Sequence, residues 1–307
     1  MPRNRTLVSR FGIQRKIVAN MTTESWQNIP HVSYIFEPDL TVFEEKFEAF
    51  RKTLPEGVRV TLNMVILKAI AESLKAAPEM NAHIHFERML VRGKITRFPN
   101  IDMSMPWILP SGDMMTITMK DMGNRSLRDI AEYMNETSKK IQNTNLDEVM
   151  YDVSIKDTMQ ELKKGKVLRV VMRLWGAKVN PRHRVATLHG AEKKAYESIP
   201  EQSRLTYLDL KQGTITVSNI GSITRGQNGE IAMLMIIPPQ ICAIGISALQ
   251  KKPRVVTLPD GTEEIRAAKV LPMCICFDHR ALDFGNIKPF ADRLQELFND
   301  PEEILKY

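Results

Sequence analysis

The chain carries several short apolar segments of strand length, and they do not alternate regularly with helical segments. Residues 31–38 (HVSYIFEP) alternate apolar and polar side chains, as a half-buried strand does. The runs 213–218, 241–247 and 268–277 are short and apolar, which is typical of buried strands. Because strict strand–helix–strand alternation is absent, we predict an α/β fold of two layers, a mixed sheet with packed helices, rather than a doubly wound fold.

Helical periodicity is clearest in three places. Apolar residues recur at helical spacing over 61–76, with Thr61 as a candidate N-cap and Pro78 ending the helix. Ser126 and Asp129 have the spacing of a capping box and predict a helix that begins near Ser126. The apolar spacing over 287–297 predicts a last helix.

Turn residues separate two further strand pairs. We expect one pair within 82–93, around Glu87-Arg88. The runs 101–109 and 114–119 form the second, divided by a turn at 110–113 (PSGD).

Composition excludes several classes of protein. The chain has 307 residues, of which 43% are apolar and 26% charged, as expected of a folded protein with one large domain or two ordinary ones. Three cysteines, an odd number, argue against a secreted disulfide framework. The sequence contains neither a run of about 18 apolar residues nor an apolar signal core at its N-terminus. We therefore expect a soluble protein of the cytoplasm.

The net charge of +7 is concentrated in one segment. Residues 151–200 contain 11 basic and 5 acidic residues, a net charge of +6, while the other 257 residues have +1. Read as a helix, 162–175 places basic residues on one face and apolar residues with Trp175 on the other. Such a helix suits an anionic membrane surface or packing on its own protein, and both interpretations stay open. We expect no nucleic-acid site, because aromatic residues are not interleaved with this charge.

The most ionisable cluster follows an apolar strand at 274–277. His279 lies at the end of this strand between Asp278 and Arg280, and Asp283 follows four residues later. A histidine held there could reach a cleft and take a proton from a thiol or hydroxyl near neutral pH. Alone, this spacing is weak, and a capped turn with a satisfied histidine would explain it as well.

A second segment of interest is 213–221 (GTITVSNIG), where a strand ends in Ser218-Asn219. Neither a histidine nor an acid is adjacent to Ser218, so the residue does not suit a nucleophile. It does suit a hydroxyl that donates a hydrogen bond to an oxyanion. A simple turn of the chain would account for the same residues.

Together and in this order, the segments resemble the catalytic domain of the dihydrolipoamide acyltransferases of 2-oxoacid dehydrogenase complexes, relatives of chloramphenicol acetyltransferase. The resemblance includes the Asp278-His279-Arg280 box. It covers nearly the whole chain except about 146–208. The other matching segments are 12–21, 29–34, Lys68-Ala69, Pro78, Asn81-Ala82, 213–221, 238–240 and Gly245.

The resemblance implies a chloramphenicol acetyltransferase-like fold and a role for three residues. His279 would be the general base that deprotonates the thiol of coenzyme A or dihydrolipoamide. Ser218 would stabilise the tetrahedral oxyanion, and Asp283 would organise the site through an ion pair with an arginine. The chemistry needs no metal, and the residues that would bind coenzyme A stay unassigned.

The resemblance also implies a homotrimer whose active site lies between subunits, with larger cages as an extension. The whole chain, 1–307, would be one catalytic domain with a basic insertion at about 146–208. No segment resembles a lipoyl domain and Lys68 suits a core-facing helix, so a lipoyl group would come from another chain. Two alternatives remain, namely a coenzyme A-dependent transferase acting on a non-lipoyl small molecule and a catalytically silent trimeric scaffold.

Three positions depart from the family pattern. Phe284 follows Asp283 where the family has glycine, so the loop would be redrawn and the pocket narrowed. Asp113 and Thr116 stand where the family tends to have an apolar residue and a proline. These changes bear on the acyl and acceptor pocket and not on the fold.

Metal binding is not expected. His83 and His85 share a strand face, and Cys274 and Cys276 are the other candidate pair, but a site needs three or four converging ligands. The cysteines are expected in the core near His279, and His183 and His189 at the surface of the insertion.

Overall fold

The computed structural model describes residues 11–109, 112, 114–163, 167–168, 170–172, 187–224 and 226–306. Two compact units are distinguished. One comprises the described residues within 1–23 and 138–210, and the other those within 24–137 and 211–307. The interpretation of 1–307 as one domain with an insertion at 146–208 stays a prediction.

Ten strands make up the described β-structure. Six form a central sheet in the order β1-β10-β7-β6-β4-β5, whereas β2–β3 and β8–β9 are separate hairpins. The β4–β6 and β6–β7 pairs are parallel and the others antiparallel. The strands are β1 His31–Phe36, β2 Ala82–Glu87, β3 Arg92–Arg97, β4 Met103–Ile108, β5 Met114–Met119, β6 Ile215–Asn219, β7 Cys242–Ile246, β8 Gln250–Thr257, β9 Glu263–Val270 and β10 Met273–Asp278.

Eight α-helices have both ends within the described residues. They are α1 Ile13–Asn28, α2 Thr41–Thr53, α3 Leu62–Ala76, α4 Leu127–Gln142, α5 Leu146–Lys163, α6 Gly190–Glu197, α7 Tyr207–Leu210 and α8 Phe284–Asn299. None of the described helices is long and apolar enough to cross a membrane.

The larger core lies between one face of the central sheet and the helices. Helix α3 begins after Thr61, whose Oγ1 accepts a hydrogen bond from the Met64 N–H at 3.4 Å, and its apolar stripe is buried. Phe43 of α2 meets Phe298 of α8 edge to face, with ring centroids 5.4 Å apart. These helices therefore cover the face that carries the side chains of Val217 and Phe277.

A segment without regular structure, 229–240, covers part of the opposite face, and we call it the strap. Side chains of the sheet bind its backbone groups. The Ile231 N–H donates to Ser247 Oγ at 3.0 Å, and the Leu234 N–H donates to Cys276 Sγ at 3.1 Å. Ile231 and Leu234 pack against a small cluster around Cys274. Because its polar groups are paired, the strap can lie on an apolar sheet face at little penalty.

The structure confirms the predicted mixed α/β fold and most of its elements. The helix at 61–76 is α3, and the capping box at Ser126 is formed in both directions, at 2.9 and 3.1 Å. The hairpin expected within 82–93 extends to Arg97.

One strand prediction was wrong. Residues 268–277 are not a single strand. Leu271 and Pro272 interrupt the strand and separate β9 from β10. Proline has no N–H to donate to a ladder, so it separates the two strands. Strand β8 and helices α1, α2, α5, α6 and α7 were not anticipated.

The predicted helix at 162–175 falls largely outside the described residues, as do His183 and Asp113. The two interpretations of the basic face therefore stay predictions.

Candidate active site

The turn after β10 is fixed by a buried ion pair. Asp278 is fully buried, and its carboxylate accepts hydrogen bonds from Arg280 Nε at 3.0 Å and Arg280 Nη2 at 2.6 Å. The Arg280 backbone N–H donates to the same carboxylate at 2.9 Å, and the guanidinium lies 5.6 Å from the Phe86 ring centre. The Asp278 carboxylate and the Arg280 guanidinium, both within one turn, thus fix the backbone that carries His279.

His279 is held by its backbone and open at its side chain. Its N–H donates to the Pro30 carbonyl at 3.1 Å, and its side chain is 53% exposed. Asp283 Oδ1 lies 3.4 Å from His279 Nδ1, and the Asp283 side chain is 81% exposed. A carboxylate beside Nδ1 favours the tautomer with a proton there, which leaves Nε2 as the proton acceptor.

The expected ion pair between Asp283 and an arginine is not among its contacts in the described chain. Arg280, the adjacent arginine, pairs with Asp278 instead. Asp283 itself is the N-cap residue of α8, and its backbone N–H donates to Asn286 Oδ1 at 2.9 Å. Among the described residues, its carboxylate forms its ion-pair contact with His279.

Ser218 lies in β6 and is nearly buried, at 8% exposure. Among the described residues, its hydroxyl has no hydrogen-bond partner. Its neighbour Asn219 donates to Asn63 Oδ1 at 2.6 Å and accepts from the Gly221 N–H at 2.8 Å, which ties the strand end to α3. A fixed hydroxyl without a partner is suited to donate to a developing oxyanion.

The sheet places Ser218 and His279 at opposite ends. Ser218 pairs with Gly245 on β7, and Gly245 pairs with Cys274 on β10. His279 is five residues further along from Cys274, at the far end of β10. With standard strand dimensions the two Cα atoms are about 19 Å apart. A single chain therefore does not bring this hydroxyl and this imidazole together.

Sequence reasoning missed the setting of His31. Its Nδ1 lies 2.9 Å from the Ile29 carbonyl, and its Nε2 accepts a hydrogen bond from the Ile236 N–H at 3.1 Å. The imidazole therefore holds the strap in place through Nε2, and this nitrogen is not free to act as a base. The sequence signals for His31 were its place at the start of a predicted strand and within the matching segment 29–34.

Phe284, the departure from the family pattern, is about half exposed beside Asp283. Its ring meets Tyr34 edge to face, with centroids 5.0 Å apart. The two rings form an aromatic wall next to the His279–Asp283 pair. The narrowing of the pocket expected from Phe284 stays a prediction.

The candidate metal ligands have other contacts. His83 Nε2 donates to the Gly213 carbonyl at 3.1 Å, and burial lowers the pKa of this imidazole. Cys274 and Cys276 are buried with their Sγ atoms 3.3 Å apart. Within the described ranges, no three His, Cys, Asp or Glu side chains are grouped to hold a metal ion.

The buried thiols are coupled to each other. The hydrogen bond with Cys276 lowers the pKa of Cys274, whereas the same contact and burial raise the pKa of Cys276. Both lie on the strap face of the sheet, where Cys274 Sγ donates to the Ala232 carbonyl at 3.3 Å. Their contacts are those of a structural pair under the strap.

Comparison with known proteins adds a family to this geometry. The profile of the family described as "2-oxoacid dehydrogenases acyltransferase (catalytic domain)" matches residues 3–152 and 189–306. The unmatched stretch, 153–188, lies within the predicted insertion.

A relative found by sequence comparison is an acetyltransferase component of a 2-oxoacid dehydrogenase complex. The chain is 23% identical over 96% of its length to the dihydrolipoyllysine-residue acetyltransferase component of the pyruvate dehydrogenase complex from Staphylococcus epidermidis. It spans about half of that protein, 52%.

Two solved structures have the same fold. One is the cubic core of the pyruvate dehydrogenase multienzyme complex. The other is the Azotobacter vinelandii dihydrolipoamide acetyltransferase. Each has a TM-score of 0.62 and 18% identity, and covers 99% of this chain and 96% of the other. At this identity, the likeness supports the fold. The profile match covers most of the chain, and the chain therefore belongs to the 2-oxoacid dehydrogenase acyltransferase family, as one of its catalytic domains.

Proposed function

We propose that the protein is an acyltransferase that moves an acyl group between coenzyme A and a thiol such as dihydrolipoamide. The observation that carries this proposal is the setting of the His279 side chain. It is exposed, it lies on a turn fixed by the Asp278–Arg280 ion pair, and its Nδ1 is 3.4 Å from Asp283 Oδ1. The family match supports the reaction class. In the Azotobacter vinelandii dihydrolipoamide acetyltransferase, a serine, a histidine and an asparagine have been investigated for their role in the catalytic mechanism. Ser218, His279 and Asp283 are the corresponding candidates here.

The reaction needs one base and one hydrogen-bond donor. His279 Nε2 takes the proton of the acceptor thiol, and the thiolate attacks the thioester carbonyl carbon. The carbonyl oxygen becomes an oxyanion, which accepts a hydrogen bond from Ser218 Oγ. When the tetrahedral intermediate collapses, the carbon–sulfur bond to the donor breaks. The departing thiolate takes the proton back from His279.

The site is shared between subunits in this proposal. Ser218 and His279 are about 19 Å apart in one chain by strand geometry, too far to act on one carbonyl group. A neighbouring copy that brings its Ser218 to this His279 completes the site. Repeating the contact head to tail closes a ring, and the trimer expected from the family is such a ring.

Further assembly and delivery of the acyl group follow the same proposal. The cubic core among the solved relatives supports cages built from trimers. The lipoyl group would be supplied by a lipoyl domain in trans. The chemistry proposed for the site needs only the base and the hydrogen-bond donor. The cytoplasmic location expected from the sequence stays a prediction.

A second candidate is a coenzyme A-dependent transfer to a small acceptor without a lipoyl group. The aromatic wall of Phe284 and Tyr34 favours it, because two bulky rings near His279 would suit a smaller acceptor. Turnover of acetyl-coenzyme A with free dihydrolipoamide, compared with a panel of amines and alcohols, separates the two. Strong preference for dihydrolipoamide removes this second candidate.

The experiment that tests the proposal is the His279→Ala variant. We expect kcat for acetyl transfer from acetyl-coenzyme A to dihydrolipoamide to fall by about 10³-fold, because general-base catalysis is lost. The exposed side chain supports no core, so the sedimentation mass and melting temperature should match the wild type. Turnover within twofold of the wild type would refute the role of His279.

A catalytically silent scaffold is the remaining alternative. It predicts that the wild-type chain assembles normally but shows no binding of coenzyme A in calorimetry. Measurable binding with turnover excludes it.

A further inference from the structure

The β2–β3 hairpin stands at the end of the sheet that carries His279. At its base, the Ile84 N–H donates to the Pro239 carbonyl at 2.9 Å, and His83 binds the Gly213 carbonyl. Further out, Phe86 lies under the Arg280 guanidinium, one residue from the base. The hairpin is therefore anchored at its base and contacts the turn that carries His279.

The tip of this hairpin is apolar and exposed. Met89, Leu90 and Val91 follow one another there, with Met89 91% exposed and Val91 80% exposed. Every residue of β3 is exposed as well. Turns in water are usually built from glycine, proline, asparagine, aspartate and serine. Three consecutive exposed apolar residues in a turn are typical of a surface that another molecule covers.

The backbone conformation at the tip supports the same conclusion. Val91 has φ +44, in the left-handed region that β-branched residues rarely adopt. Glycine or asparagine would adopt this conformation with less strain. An apolar side chain thus occupies a position where the backbone favours a smaller or polar residue. This is expected where the side chain itself makes a contact.

The molecule that covers the tip of the hairpin can be inferred from the positions of Ser218 and His279. His279 needs a Ser218 from another copy, because its own lies about 19 Å away by strand geometry. The copy that reaches His279 must approach the end of the sheet where the hairpin stands. We infer that the tip Met89–Val91 packs against a second copy of this chain, the one whose Ser218 faces this His279. The inference rests on the shared site of the proposed function.

The test is the association state of the Met89→Ser/Leu90→Ser variant. Sedimentation velocity over a concentration series should show subunit association at least tenfold weaker than in the wild type, since apolar contact area is lost. Both side chains are exposed within the chain, so circular dichroism should show an unchanged fold. The matched control, Met89→Leu/Leu90→Met, keeps apolar volume and should assemble as the wild type does. A serine variant with wild-type association would overturn the inference.

A second measurement does not depend on weakened assembly. Leu90→Cys labelled with benzophenone-maleimide should, on illumination, give products with the mass of two chains, because the three native cysteines are buried. Products confined to a single chain would also overturn the inference.

The outcomes separate this inference from the proposed function. If the labelled Leu90→Cys variant gives two-chain products but the wild type transfers no acetyl group, the docking surface is kept and the function is removed. A wild-type enzyme that transfers acetyl groups, but whose serine variant keeps its mass and activity, removes only the docking surface.

Discussion

At the scale of single residues, Asp278 and His279 are neighbours with opposite environments. The carboxylate of Asp278 is buried and saturated with hydrogen bonds from Arg280, whereas the imidazole of His279 is open to solvent. The first fixes the turn, and the second lies exposed on it. Because a buried carboxylate that loses its partner is strongly destabilising, Arg280 is best understood as a structural residue.

Ser218 allows a prediction that separates catalysis from stability. Its hydroxyl has no hydrogen-bond partner in the described part of the chain, so Ser218→Ala should leave the free energy of unfolding within about 0.5 kcal/mol of the wild type. Loss of an oxyanion donor should lower kcat by about 10²–10³-fold. Urea unfolding and steady-state kinetics measure the two quantities.

Thr216, on the same face of β6, provides the matched control. Its Oγ1 donates to Gln240 Oε1 at 2.6 Å, and Gln240 is fully buried. Thr216→Val removes a hydroxyl from the same strand but leaves a buried acceptor unpaired, so it should destabilise the fold by about 1–3 kcal/mol. If Ser218→Ala behaved in the same way, with lost stability and intact kcat, the role of Ser218 would be structural.

At the scale of elements, the strap and the sheet meet closely at Gly245. A Cβ added there would lie 3.1 Å from two carbon atoms of the Ile231 side chain. Gly245 lies between Ser218 and Cys274 in the sheet, so Ile231 fills the space beside the Ser218 strand. The absence of a side chain at this position lets the strap lie flat on the sheet.

We therefore predict that Gly245→Ala destabilises the protein by about 1–3 kcal/mol through overpacking. In an Ile231→Ala background the two close atoms are gone, and the added penalty of Gly245→Ala should fall by more than half. A double-mutant cycle in urea measures this coupling. Equal penalties in both backgrounds would show that Ile231 and Gly245 do not oppose each other.

How far the sequence could predict these elements depends on whether the signal is local. Helix α3 was predictable because its apolar stripe and the residues that bound it, Thr61 before it and Pro78 after it, are close together in sequence. The strap was not, because its partners, such as His31 and Ser247, are distant in sequence and supply side-chain hydrogen bonds in place of a ladder. The break at Pro272 was missed because apolar residues continue on both sides of it.

The candidate site was predictable in part, for the same reason. Asp278, His279 and Arg280 are adjacent in sequence, and their cluster was visible without a fold. The pairing of Arg280 with Asp278 rather than Asp283 depends on burial, which the spacing does not reveal. The separation of Ser218 from His279 depends on strand order, which only the three-dimensional structure provides.

At the scale of the whole molecule, the central sheet has two chemically different ends. One presents His279 with the β2–β3 hairpin, and the other ends near Ser218 and Asn219. If Ser218 and His279 form complementary halves of one site, as proposed, their positions at opposite ends suit head-to-tail association, in which each copy completes the next. The basic segment at 151–200 is not needed for this account, since Ser218, His279 and the hairpin lie in the other unit.

The most direct test mixes two inactive chains. His279→Ala and Ser218→Ala subunits, co-expressed in equal amounts, should form mixed trimers in which one site per mixed ring joins an intact His279 to an intact Ser218. Random assembly predicts about one quarter of the wild-type acetyl transfer activity, although each variant alone is almost inactive. Activity of the mixed sample no higher than the mean of the two variants alone would place both groups of each site in one chain and contradict the account.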